Sequence, residues 1–137
     1  MAHWLYPANT KYYDVLGAFS KKSAYWPIKS KVAKGDQVLI YLAAPYKQIG
    51  FICKVTEVDL DESTVLKHVS PFFKQVPDKN ANLRYFMKLN SIKRIPLDEA
   101  SPLSLTQLKV VGLKGMLMGP RKLDNTPGLL DYLKGHM

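Results

Sequence analysis

The sequence predicts an α+β domain: a small, mostly antiparallel β-barrel of about five strands with about three helices around it. Two observations indicate the strands, namely apolar runs and period-two alternation over residues 37–58 and again over 82–97. A third observation indicates the helices, because apolar residues recur at helical spacing in three separate segments. The 137 residues fit one domain, residues 1–137, with a single hydrophobic core.

The first elements are short. The segment "HWLY" (3–6) predicts a strand that ends at Pro7, and Asn9 is then in a position to cap a helix. Tyr12, Val15, Leu16 and Phe19 predict that helix over residues 10–20. Residues 21–35 are expected to be irregular, with Trp26 held extended because Pro27 follows it.

The middle of the chain predicts the main sheet. "QVLIYLAA" (37–44) and "IGFICKVTEV" (49–58) read as an antiparallel hairpin that turns at "PYKQ". Residues 82–97 predict a third long strand, in which the alternation slips near Ser91 and indicates a bulge.

The C-terminal part predicts three more elements. Residues 104–111 read as a short helix and "GMLMGPRKL" as a short return strand. Thr126 with Pro127 is typical of a helix start, and Leu129, Leu130 and Leu133 form the predicted buried stripe of that helix.

The charge is strongly positive. The formal net charge is +9, and lysines concentrate in two regions without acidic residues, 15–35 and 100–123. A polyanionic partner would explain this charge, and so would solubility alone. The single cysteine, Cys53, and the absence of a signal-like or membrane-spanning apolar run predict a soluble cytoplasmic protein.

Catalytic and metal-binding patterns are sparse. The three histidines show no ligand spacing with cysteine or carboxylate, and no phosphate-binding glycine loop or nucleophile elbow occurs. We therefore expect no metal and no cofactor. Cys53 could act as a nucleophile with His68 as base, but its position on the apolar face of a predicted strand favours a buried filler.

Aromatic residues beside lysines are the more informative feature. Base stacking on Trp or Tyr contributes about 1–3 kcal/mol per base, while lysines hold phosphates. Most aromatics in a small barrel belong to the core. Trp26 differs, since it lies in a predicted loop among lysines, where it forms either a pocket wall or a loop anchor.

The order of several motifs resembles the EVE domain, a PUA-like family related to YTH and ASCH domains. The matching pieces are "HWLY", the loop Trp26, "GDQVLIYLAA", "IGFICKVTEVD", "SIKRIPLDE", and "PRKL" followed by "GLLDYL". The segment "YPANTKYYDVLGAF" resembles a bacterial subgroup, whereas the loop between Val58 and Asn82 departs from the insert that many EVE domains carry.

The resemblance implies a PUA-like pseudobarrel that recognises a modified, methylated base flipped out of DNA or RNA into an aromatic cage. Trp26 would be the cage wall, and Trp4 a core or pocket-base residue. The implied base-binding residues are Trp26, Tyr25, Ser23, Asn9, Tyr41, Pro45 and Tyr46, with a helix cap open for Asn9 and a core position open for Tyr41. The implied phosphate-binding residues are Lys22, Lys29, Lys31, Arg121 and Lys122.

Three hypotheses follow. The first is a non-catalytic reader of a modified base, acting alone or beside a separately encoded nuclease. The second is a small ASCH-like hydrolase of modified nucleosides, for which Asp36 with Lys34 or Lys54 is the available pair, although Asp36 suits a turn cap better. The third is a domain that binds a small ligand or a protein.

Overall fold

The computed structural model describes residues 2–8, 14–19, 22–28, 30–61, 63, 65, 85–98, 101–115 and 119–137. In chain order the elements are β1 (His3–Ala8), α1 (Val15–Phe19), β2 (Ser23–Pro27), β3 (Gln37–Leu42), β4 (Gln48–Asp61), β5 (Tyr85–Arg94), α2 (Leu105–Val110), β6 (Arg121–Lys122), a 3₁₀ turn (Leu123–Asn125) and α3 (Pro127–Lys134).

The strands form one six-stranded sheet in the order β2-β5-β4-β3-β1-β6. Among these described strands, β1 and β3 run parallel, and the other four pairings are antiparallel. The α+β, mostly antiparallel architecture predicted from the sequence is therefore confirmed.

The sheet has two faces with separate hydrophobic cores. The inner face, which carries Val38, Ile40 and Phe51, packs against α1. The outer face carries Leu39 and Ile52, and part of this face packs against α2 and α3. Alternation along each strand distributes the side chains between the two cores.

β3, β4 and β5 agree with the sequence pattern. The predicted slip near Ser91 is present, since the register between β4 and β5 shifts between the Cys53–Ser91 and Ile52–Lys93 pairs. A bulge of this kind bends a strand and so helps the sheet to curl.

β1 continues through Pro7, where the sequence analysis ended it. The carbonyls of Ala2 and Ala8 accept hydrogen bonds from the β3 side, so the even-numbered residues pair with β3 and Pro7 faces the β6 side. Within the described residues, β6 pairs with Trp4 and Leu5. Pro7 therefore lies beyond the pairs formed with β6, in a place where a residue without an N–H is tolerated.

The prediction of an irregular segment at 21–35 is wrong for Ser23–Pro27. This stretch is an edge strand, and it pairs antiparallel with β5 in a register that sets Trp26 opposite Met87. An edge position allows Pro27 at its end. The extended conformation expected of Trp26 before proline is confirmed.

The helices agree with the prediction where they are described. Ser104 caps α2 by accepting a hydrogen bond from Gln107 N–H, and Pro127 begins α3. Leu129, Leu130 and Leu133 of α3 are buried. The predicted helix over residues 10–20 is described only for Val15–Phe19. None of the helices in the described part of the chain has the length and apolarity needed to span a bilayer.

Candidate functional site

The candidate site is a row of aromatic rings on the inner face beside the edge strand β2. Trp26 is half-buried, and its ring centroid lies 5.6 Å from that of Phe19 in a tilted arrangement. Phe19 in turn stacks on Phe51 at 5.1 Å. Both spacings lie in the range of favourable aromatic pairs. We call Trp26, Phe19 and Phe51 the aromatic row.

Local sequence explains why the row forms. α1 is short, and its buried residues Val15, Ala18 and Phe19 share one side, which points Phe19 into the inner core. Alternation along β2 sends Ala24 and Trp26 to the same face, where Trp26 packs against this core at its margin. The edge position of β2 leaves part of the indole exposed.

Arg94 completes the row at its other end. Its guanidinium carbon lies 5.6 Å from the centroid of the Phe51 ring, and the two residues are cross-strand partners. A cation over an aromatic face at this distance gains about 0.5–1 kcal/mol when exposed, and Arg94 is exposed. The sequence analysis did not select Arg94, because only the register between β4 and β5 brings it to Phe51.

Lys22 lies immediately before β2. Its carbonyl accepts a 3.0 Å hydrogen bond from Ser91 N–H, and its side chain is exposed. The alternation that directs Ala24 and Trp26 to the inner face extends to Lys22. Two cationic groups, Lys22 and Arg94, therefore border the inner face, and Arg94 contacts the aromatic row.

The hairpin turn supplies one further predicted residue to this face. Tyr46 is half-buried and packs against the inner core, as Trp26 does. The turn is held to the end of β1 by a 3.1 Å hydrogen bond from Ala43 N–H to the Ala8 carbonyl. Pro45 is exposed in the same turn.

Three other predicted base-binding residues lie on the opposite face. Tyr41 is buried in the outer core under α2 and α3, and this burial raises the pKa of its hydroxyl. Tyr41 therefore does not share a site with Trp26, and its core role, the alternative that the sequence left open, is the one observed. Ser23 and Tyr25 also face outward, and Tyr25 packs against Phe86.

The predicted phosphate-binding residues are dispersed. Lys31 and Lys122 are exposed, and Lys122 Nζ lies 5.9 Å from the centroid of the Trp4 ring. Arg121 donates a hydrogen bond to the carbonyl of Lys114. β6, which carries Arg121 and Lys122, is separated from β2 by four strands in the sheet order. Asn9 and Lys29 lie outside the described residues.

Asp36 has a structural role. It is 5% exposed and accepts hydrogen bonds from Trp4 Nε1–H (3.1 Å), Ala2 N–H (2.9 Å) and Ala33 N–H (2.9 Å). Burial acts to raise the pKa of Asp36, but the hydrogen bonds from Ala2, Ala33 and Trp4 outweigh it and hold the pKa below its ordinary value. The predicted turn-capping role is confirmed, and the carboxylate is already committed to three donors.

The surroundings of Cys53 make its thiol unreactive. The residue is fully buried in the inner core, and burial raises its pKa to about 12. The neutral thiol is a poor nucleophile, so the buried-filler interpretation agrees with the structure. His68, its suggested partner, lies outside the described residues. Across the described ranges, no three His, Cys, Asp or Glu side chains group as metal ligands would.

The comparisons with known proteins show the fold. A Tyr-to-Phe variant of ASCH from Zymomonas mobilis superimposes with a TM-score of 0.67 at 11% identity, covering 98% of each chain. Unsubstituted ASCH from the same organism gives 0.63 at 12% identity over 95% of this chain and 94% of that one. A Pseudomonas putida protein gives 0.65 at 16% identity over 98% of each chain.

The chain thus shares the α+β fold of these ASCH structures. No family model matches the sequence, and no curated protein matches it. At these identities, structural similarity shows the fold alone. These comparisons do not show the EVE family that the sequence resembles.

Proposed function

We propose that this chain is a nucleic-acid-binding module in which a base stacks on the exposed part of Trp26. The observation that carries the proposal is the aromatic row itself. A half-buried tryptophan stands on an edge strand, supported from behind by Phe19, with a cation over the last ring of the row.

Rigid support is what a stacking platform needs. An unsupported indole would lose rotamer freedom on binding, whereas an indole packed on Phe19 is already ordered. Stacking of one base on such a ring contributes about 1–3 kcal/mol. The base would have to be single-stranded or flipped out of a duplex to reach the ring.

Electrostatics support the same partner. Lys22 and Arg94 border the inner face, and the whole chain carries a net charge of +9. Phosphates neutralised by these cations would release counterions, so affinity is expected to fall steeply with salt. Arg94 would also extend the stacking surface, because its guanidinium already lies over one ring.

The finer proposal is that the base is a modified one, as the resemblance to EVE domains implies. A buried methyl group contributes about 0.8 kcal/mol, so apolar contact alone gives modest selectivity. Discrimination would therefore also require contacts to the Watson–Crick edge of the base. In the same proposal, the protein has no catalytic step of its own and recognises the base beside a separately encoded nuclease.

Equilibrium binding tests this function. Fluorescence anisotropy would follow labelled single- and double-stranded oligonucleotides, unmodified or carrying methylated adenine or modified cytosine, at two salt concentrations. We expect salt-sensitive binding with preference for one modification, and Trp26→Ala should weaken it about tenfold or more. Trp26→Phe, the matched control, should retain much of it.

Two results would contradict the proposed function. If the folded protein binds none of these oligonucleotides, or if Trp26→Ala binds as well as the unchanged chain, the function is wrong. Turnover of free modified nucleosides by the same preparation would instead favour the hydrolase hypothesis, and Asp36→Asn would then show whether its committed carboxylate takes part.

A further inference from the structure

The inner core ends between two residues of β5 that share a face. Met87 is fully buried, whereas Tyr85, two residues before it, is 56% exposed. Residues two apart along a strand point the same way, so Tyr85 is directed to the inner face as Met87 is. The intervening Phe86 packs against Val65 in the small outer cluster, which agrees with this alternation. Tyr85 is therefore an aromatic ring at the open margin of the inner core.

Strand register places Trp26 beside Tyr85. Trp26 pairs with Met87 across β2 and β5, so Trp26 and Tyr85 are diagonal neighbours on the same face. Diagonal neighbours lie about 7–8 Å apart, within reach of aromatic side chains. A flat base in contact with a ring on each side needs about the same spacing, twice the usual carbon–carbon contact distance.

The backbone around these two rings is well supported. Ile28 N–H donates a 2.9 Å hydrogen bond to the Tyr85 carbonyl, which ties the end of β2 to the start of β5. Ile28 itself is half-buried and packs against the inner core. Trp26 has Phe19 behind it, with 5.6 Å between the ring centroids. The two rings are thus carried by paired strands rather than by a loop, which favours a preformed site.

The charges near the two rings are unequal. Asp61 of β4 pairs with Tyr85 and is exposed, on the side away from β2. Lys22 precedes Trp26 by four residues, which corresponds to about 13 Å along an extended strand. A phosphate backbone is repelled at Asp61 and attracted at Lys22. A nucleic-acid strand bound at the two rings would therefore extend towards Lys22.

We propose that one unpaired base is held between Trp26 and Tyr85, with a ring stacked on each of its faces. The inference rests on the proposed function and deepens it, because it adds a second stacking residue and specifies the class of base. Contact on both faces grows with the area of the base, so purines are favoured over pyrimidines. The exposed ring of Tyr85 adds little to the core, and a stacked base would cover it.

Removal of the Tyr85 ring tests this arrangement. The probe is fluorescein-labelled oligodeoxyadenylate of about eight nucleotides, a usual size for such sites, followed by fluorescence anisotropy. Tyr85→Leu keeps an apolar side chain without an aromatic face and should weaken binding about tenfold. Tyr85→Phe should bind as the unchanged chain does. The control is Val110→Ala, which truncates a 75% exposed side chain of α2 and should have no effect.

A second probe shows whether both rings contact the same base. It is an oligomer of abasic nucleotides of the same length that carries a single adenine. Trp26→Ala and Tyr85→Leu should each weaken its binding, and the double variant should lose less than the two separate losses combined. Replacement of the adenine by thymine should also weaken binding. Thermal melting verifies the fold of every variant, and Tyr85→Ala serves if Tyr85→Leu is unstable.

The outcomes separate this inference from the proposed function. Losses in both Trp26→Ala and Tyr85→Leu on the single-adenine probe would support both. A loss in Trp26→Ala without one in Tyr85→Leu would overturn the two-ring arrangement and leave base stacking on Trp26 supported. A loss in Tyr85→Leu on oligodeoxyadenylate alone would place the rings on different bases and overturn the arrangement. Tighter binding of thymine than of adenine would overturn the purine preference, and failure of every oligomer to bind would overturn both proposals.

Discussion

The two tryptophans of this chain occupy contrasting regions of one sheet face. Trp4 lies on β1, between β3 and β6, and is 8% exposed. Its indole N–H donates to Asp36, and Lys122 lies over its ring. Trp26 lies on the edge strand β2, half-buried, in contact with Phe19.

The difference teaches that strand order decides what a tryptophan can do here. A neighbouring strand on each side and a carboxylate acceptor fix Trp4 as part of the scaffold. An edge strand leaves Trp26 supported on one side and accessible on the other. Stability should therefore depend mainly on the Trp4 region, and ligand binding on the Trp26 region.

Asp36→Ala should produce the largest effect, because it removes the shared acceptor of the Trp4 region. Three donors, from Ala2, Ala33 and Trp4, would lose their partner. We expect a loss of about 3–5 kcal/mol in the free energy of unfolding, measured by urea denaturation. Asp131→Ala, which removes an exposed carboxylate of α3, is the control. A loss no larger than that of the control would contradict the structural role of Asp36.

Trp4→Phe and Trp26→Phe compare the two regions directly. Trp4→Phe removes one buried hydrogen bond to a carboxylate and should cost about 1.5–3 kcal/mol of stability. Trp26→Phe keeps an aromatic ring at a half-buried position and should cost less than about 1 kcal/mol. Thermal melting of both variants measures these losses of stability. A larger loss for Trp26→Phe than for Trp4→Phe would contradict the comparison.

Acid should weaken the Trp4 region. Asp36 and Asp124 both have pKa values below their ordinary value of 3.8. For Asp124 the main cause is the hydrogen bond from His3 N–H. Groups with a lowered folded pKa stabilise the fold above the unfolded pKa, and this contribution is lost as pH falls through the folded pKa.

Urea denaturation across the acidic range tests this pH dependence. We expect stability to decline as pH drops below the ordinary carboxyl value, and Asp36→Asn should flatten part of the decline. An equally steep decline in Asp36→Asn and Asp124→Asn would show that other carboxyl groups are responsible.

Arg94→Ala should produce the smallest change in stability, about 0.5–1 kcal/mol, because it removes one exposed contact with Phe51. Its effect on oligonucleotide binding should be larger than its effect on stability. Lys109→Ala, on the exposed side of α2, is the matched control for the lost charge. Identical binding by the two variants would remove Arg94 from the candidate site.

Much of the fold could be predicted because local patterns specify it. The alternation in β4 and β5, the run in β3 and the leucine stripe of α3 each reflect burial that repeats along one element. β2 was missed because it is short, ends in proline and is flanked by lysines. Its partner β5 begins nearly sixty residues later, so that pairing leaves no local signal.

The candidate site was predicted only in part for the same reason. Trp26 could be predicted as a site residue because it is an aromatic residue among lysines. Tyr25 was grouped with it, although adjacent residues of a strand face opposite ways once β2 is recognised. Phe19 and Arg94 enter the site through α1 packing and through the β4–β5 register, neither of which a single sequence displays.

The most direct test of the account is the fluorescence of Trp26 alone. Trp4→Phe leaves Trp26 as the single tryptophan of the chain. Titration of this variant with single-stranded oligonucleotides, unmodified and modified, should quench its emission in proportion to the binding seen by anisotropy, most strongly for the preferred base. Binding by anisotropy with unchanged Trp26 emission would contradict the claim that a base stacks on Trp26.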